Sequence, residues 1–89
     1  MKKFKVVYKR LVKVWGQANM STREIEIDLS AKGKKHLEVL IHESLHLLYP
    51  DEVEESIEKK SILMTNTIWS QKYRRVDDTN HIPLQDGTK

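Results

Sequence analysis

A chain of 89 residues without a single cysteine has few ways to hold itself together, and that absence constrains the fold more than any one motif. A domain this short buries a limited core, and small domains commonly add a disulfide, a metal or a partner subunit. Without cysteine, a disulfide framework and a Cys-rich structural zinc site are both excluded. A His/carboxylate metal site or oligomerisation is left as the available reinforcement. Hydrophobic content of 38% beside 33% charge is that of a globular chain rather than a disordered one. The length is that of one domain at most.

The N-terminal stretch MKKFKVVYKRLVKVW is basic and valine-rich, as a signal peptide can be. Its lysines recur inside the apolar residues, so no uninterrupted apolar region is left for a translocon. No run approaches the length of a membrane span. The expectation is a soluble, cytoplasmic protein. Charge is unevenly spread: residues 1–14 carry Lys and Arg but no acid, residues 37–58 carry Asp and Glu but no Lys or Arg, and 59–75 are basic again. Most of these charges read as solvated faces of separate elements.

Phe4, Val6 and Tyr8 alternate with lysines, the period of a half-buried strand. Leu11, Val12, Val14 and Trp15 continue as an apolar segment, a turn or second short strand, and Gly16 to Asn19 have the small residues of an edge strand or loop. Ile25, Ile27 and Leu29 alternate with Glu24, Glu26 and Asp28, a clearer strand signal. A helix is predicted from about Ala31 or Lys34 to Tyr49, with Ser30 as its N-cap, and Pro50 ends it. Asp51 and Glu54 have the spacing of a capping box opening a second helix to about Gln71, with Val53, Ile57, Met64 and Ile68 on one face. Lys72 to Val76 is expected to return to extended structure. Residues 1–76 thus read as one α+β domain, with a small antiparallel or mixed sheet before two packed helices, and 77–89 as a flexible polar tail.

The chemistry-bearing motif lies in the acidic block. His42-Glu43-Ser44-Leu45-His46 places two imidazoles at i and i+4, adjacent on one helix face. Both nitrogens can then reach one tetrahedral ion, while Glu43 flanks the open coordination position. A metal such as Zn²⁺ lowers the pKa of bound water toward about 7, and Glu43 can accept the proton during attack on a carbonyl. HExxH is short enough to arise by chance, so its setting decides. Leu37, Leu40, Ile41, Leu45, Leu47 and Leu48 cover most of the helix, leaving the histidines and Glu43 as a polar stripe beside Val39. Buried imidazoles flanking a carboxylate are costly unless partners or a metal satisfy them. The plainer reading is a pair of core histidines bonded to strand carbonyls, with Glu43 in an ion pair.

LIHESLHLLYPDEVEESI, with REIEID before it, resembles the compact zincin-like metallopeptidases of phages and mobile elements, related to the ImmA/IrrE-type peptidases. The resemblance covers roughly residues 14–76. It implies a minimal zincin-like, gluzincin-like domain: short strands, the HExxH helix, then a second helix supplying a glutamate ligand, in the Glu54–Glu55 pair.

A catalytic zinc site takes three protein ligands and keeps one position open. If the helices form a hairpin at Pro50, residues near 54 lie opposite His46, and packed helices about 8–10 Å apart can share one ion. On a helical wheel Glu54 borders the apolar face of the second helix. Glu54 is therefore the first choice as third ligand, Glu55 the second, Glu58 the third and His81 a further candidate. A purely structural capping box competes for Glu54.

Gly16, Gln17 and Ala18 are candidates for holding an extended substrate by strand addition, although an ordinary edge or turn explains them as well. Tyr49, Tyr73 and His81 could each stabilise a developing oxyanion, and nothing in the sequence selects among them. Trp15 and Trp69 read as core anchors, and His36, off the ligand stripe, as surface-exposed.

The expected function is zinc-dependent hydrolysis of a peptide or protein substrate, with His42, His46 and Glu54 as ligands, Zn²⁺ as cofactor and Glu43 as general base. A second copy or a partner protein is expected to complete so small a cleft. The alternative from another class is a non-catalytic zinc-binding or interaction domain. A nucleic-acid-binding module, suggested by the basic N-terminus and Lys72-Tyr73-Arg74-Arg75, ranks lower because no reader motif accompanies those charges.

Overall fold

A computed structural model describes residues 3–76 of the chain. The expected tail, 77–89, and with it His81, lies outside the described residues. Three strands, β1 (Lys5–Lys9), β2 (Gly16–Asn19) and β3 (Glu24–Asp28), precede two helices, α1 (Gly33–Leu48) and α2 (Glu54–Ser70). The fold is α+β. The sheet is mixed, in the order β1-β3-β2, with β1 parallel and β2 antiparallel to β3.

The central strand explains the sheet. Ile25 and Ile27 point to one face and are fully buried, as strict alternation demands. Glu24 and Glu26, at alternate positions, meet Lys5 and Lys9 of the parallel neighbour. Between β2 and β3 the chain turns on Asn19, whose side-chain oxygen accepts from the amides of Ser21 and Thr22, and Arg23 closes the turn at φ 58°. The segment Leu11–Trp15 forms no strand and crosses back to β2 through bends, with Lys13 at φ 71°. It is tied down where the Leu11 amide donates to the Asp28 carboxylate over 2.6 Å and the Asp28 amide to the Trp15 carbonyl over 2.8 Å.

Helix α1 lies between the sheet and α2. Val39 and Leu47 join Ile25, Ile27 and Ala31 in one core cluster, while Ile41 and Leu45 meet Ile57 of α2 in another. Leu48, counted above with the covered residues, is half exposed at the helix end. Both expected N-caps are corrected. Ser30 instead donates to the Asp28 carboxylate, and Lys32 occupies the cap of α1 with no side-chain bond. Asp51 falls in the Pro50–Glu52 turn, and Val53 is the extended cap residue of α2, so no capping box forms.

The inward face of α2 also differs from the wheel. Val53 and Met64 are exposed, whereas Ile57, Ser61 and Thr65 are buried against α1. The helix ends at Ser70, one residue before the expected limit, and Lys72, at φ 73°, turns the chain away. Residues 73–76 do not form a strand. Trp15 is half exposed and Trp69 only half buried, so neither is a fully buried core anchor. His36 is buried, contrary to expectation, because Tyr8 of β1 stacks on it and its hydroxyl lies 2.9 Å from the Nε2.

Candidate metal centre

The helical hairpin brings three HExxH-region side chains to one point. His42 and His46 project from α1 one turn apart, and Glu54 opens α2 directly opposite. Their Nε2 atoms are 3.2 Å apart. One carboxylate oxygen of Glu54 lies 3.0 Å from the His42 Nε2, and the other lies 2.8 Å from the His46 Nε2. One donor atom from each of the three residues falls within a 4.8 Å group. Tetrahedral zinc with ligands at about 2.0–2.1 Å would separate those ligands by roughly 3.4 Å, close to the spacings found.

His42 turns its Nε2 toward the converging group and its Nδ1 toward α2. The Nδ1 faces a carboxylate oxygen of Glu58 at 3.2 Å and the Ser61 Oγ at 3.4 Å. Ser61 has one proton, which it gives to the Glu58 carbonyl over 2.9 Å, so toward His42 it can only accept. Both ring nitrogens thus face a carboxylate, Nδ1 that of Glu58 and Nε2 that of Glu54. In a neutral imidazole with its proton on Nδ1, the Nε2 lone pair is aimed at the other histidine and Glu54. Glu58, Glu54 and Glu43 together surround two imidazoles with three carboxylates. The donor set and the surplus of negative charge fit a divalent cation.

Glu43 lies between the histidines in sequence and packs beneath β2. It is largely buried yet lines the same cleft, and burial pushes its carboxyl above the ordinary range, with the nearby imidazoles opposing that shift. The cleft encloses about 320 Å³ between Trp15, Gly16, Glu38, His42, Glu43 and Glu54. A raised carboxyl facing a polar cleft is suited to exchanging a proton with a bound molecule.

The other candidates separate clearly. Glu55 points to solvent and pairs with Lys59 at 3.6 Å. Glu58 reaches the Nδ1 of His42 rather than the point where the other three side chains converge. Gly16 lines the cleft, whereas Gln17 bonds Glu26 over 2.5 Å on the outer face and Ala18 packs against the core. Tyr49 and Tyr73 are exposed and do not line the cleft. Sequence reasoning missed Ser61 and the contact of Glu58 with the His42 Nδ1. Their spacing with Glu54, at i, i+4 and i+7, was the available sign of a polar helix face. No family model, curated protein or solved structure matches the chain, so the chemistry rests on this geometry and on the motif.

Proposed function

We propose that the protein is a metal-dependent hydrolase of the zincin type, acting on peptide bonds, with His42, His46 and Glu54 as the ligands of a zinc ion. The observation that carries this reading is the convergence of both Nε2 atoms and the Glu54 carboxylate, with His42 oriented by Glu58 and Ser61. Zinc held there would supply Lewis acidity, polarising a carbonyl and acidifying water.

The protein's own groups account for the remaining steps. Glu43, made more basic by burial, takes a proton from water as the water oxygen bonds to the peptide carbonyl carbon, and returns it to the nitrogen as the C–N bond breaks. Glu58 and Ser61 fix the ring plane and tautomer of His42. Trp15 and Gly16 form the opposite wall, against which a substrate would lie. So small a cleft leaves room for a second copy or a partner protein to complete it. The resemblance to phage and mobile-element peptidases favours the same chemistry.

Glu43→Gln tests the assignment. The variant should bind zinc like the parent and lose hydrolysis of a quenched fluorescent peptide library. Undiminished hydrolysis would remove Glu43 from the mechanism. Zinc binding with no hydrolysis by the parent protein would instead favour a non-catalytic zinc-binding domain.

A further inference from the structure

A second cavity, of about 460 Å³, opens at the other end of α1. Its walls come from three distant parts of the chain: Tyr8 of β1, Lys32 and His36 at the start of α1, and Trp69, Arg74 and Arg75 at the end of α2. Three cationic side chains therefore line one hollow, and among the described residues none of them pairs with a carboxylate. The two guanidinium groups lie over aromatic rings, Arg74 on Trp69 at 3.5 Å and Arg75 on Tyr8 at 4.7 Å. Stacking leaves the edge of the Arg75 plane available for hydrogen bonding, while Arg74 gives its Nη1 to the carbonyls of Trp69 at 3.0 Å and Tyr73 at 2.8 Å and keeps Nη2 and Nε for a ligand.

The placement of these cations runs against ordinary helix electrostatics. The start of α1 carries the positive end of the helix dipole, where acidic residues are favoured and basic ones are not. Here Lys32 occupies the cap, the first turn has no acid, and no side chain caps the free amides, while Lys35 turns to the other cleft and pairs with Glu38. His36, more than nine-tenths buried, lines the same hollow, with its Nε2 held by the Tyr8 hydroxyl. Burial and the charges of Arg75 and Lys32 hold this imidazole below its usual range.

We propose that this cavity is a phosphoryl-binding site, in which Lys32, Arg74, Arg75 and the free amides of α1 hold the anion while Trp69 flanks its organic part. Guanidinium groups match phosphate oxygens bidentately, and exposed helix amides complete the cradle. The hollow is larger than phosphate alone requires, and its lining of Trp69, Leu29 and Ala31 suits the base or sugar of a nucleotide. The phosphoryl group can come from a free mononucleotide or from a nucleic-acid backbone. The site is separate from the HExxH cleft and does not depend on any metal there.

The test is a titration of the full-length, isotope-labelled protein with inorganic phosphate, AMP and a short single-stranded oligonucleotide, at constant ionic strength. Amide shifts at Gly33 to Lys35 and a rise in the His36 imidazole pKa are expected with phosphate, with AMP binding more tightly. Arg74→Ala/Arg75→Ala, two exposed positions, should weaken binding by at least about tenfold, the equivalent of one lost charge-assisted contact. The charge-matched Lys59→Ala/Lys60→Ala should bind as the parent does. Oligonucleotide affinity far above that of AMP, falling steeply with salt, would identify a nucleic-acid backbone as the source. Absence of shifts at these residues with all three probes, or equal weakening by both double variants, would overturn the proposal.

Discussion

Gly16 is where the sheet, the central helix and the candidate site press hardest on one another. A methyl group added there would sit 2.5 Å from the Val39 Cγ1, 3.0 Å from the Glu26 carbonyl oxygen and 3.3 Å from the Glu43 Cγ. Carbon atoms pack best at about 3.5–4.0 Å, so the Val39 contact is short by about 1 Å. The Glu26 carbonyl cannot give way easily, because Gly16 and Gln17 are in register with Ile27 and Glu26. Val39 is itself buried, so either its rotamer changes or β2 lifts off α1. Overpacking of this kind costs about 1–3 kcal/mol. At about 4–8 °C per kcal/mol for a domain of this size, Gly16→Ala should lower Tm by roughly 4–24 °C. The assay is thermal unfolding by circular dichroism with a chelator present, so that metal linkage does not enter. Val39→Ala removes the clashing carbon, and the double variant should be more stable than the sum of the two single losses by about 0.5–3 kcal/mol. A Gly16→Ala melt matching the parent, or strict additivity in the cycle, would refute close packing of β2 on α1.

Ile57 is fully buried between the helices, and Ile57→Ala should cost about 2–5 kcal/mol in urea unfolding; a loss below that range would mean the helices pack more loosely. Glu58→Ala should reduce zinc affinity about 10–100-fold by calorimetry, while Glu55→Ala should leave it unchanged, and the reverse ranking would exchange their roles. Asp28 is held at about 2, first by the Ser30 hydroxyl and then by the Leu11 and Ser30 amides. Its folded pKa lies below the unfolded value of 3.8, so its contribution is complete above that value and is lost as pH falls toward 2. Asp28→Asn should therefore flatten the acid limb of the stability profile between about pH 4 and 2, whereas an unchanged limb would place that sensitivity elsewhere.

Much of this architecture is legible in the sequence because the signals are local. Ile25 and Ile27 alternate with acids, and Pro50 separates two helical patterns, so the strand and the hairpin follow directly. The hairpin also places Glu54 across from His46, since short connections pair chain levels on either side of the break. Features that depend on distant partners are not legible in this way. His36 is buried because Tyr8, 28 residues away, offers a stacking face and a hydroxyl. Ser30 has the composition of a cap, but the nearby Asp28 carboxylate takes its proton first. The face of α2 is not legible from hydropathy, which favours Val53 and Met64, whereas the helix turns Ile57, Ser61 and Thr65 inward and leaves Glu54 exposed at its edge beside the histidines. The support of His42 at Nδ1 arises from that same rotation.

The central claim is that His42, His46 and Glu54 form a single metal-binding centre. Its most direct test is metal analysis of the full-length protein after zinc loading and exhaustive dialysis, with His46→Ala measured in parallel. One tightly held zinc per chain is expected in the parent protein and none in the variant, both folded. A parent protein that is folded and yet retains no metal would contradict it.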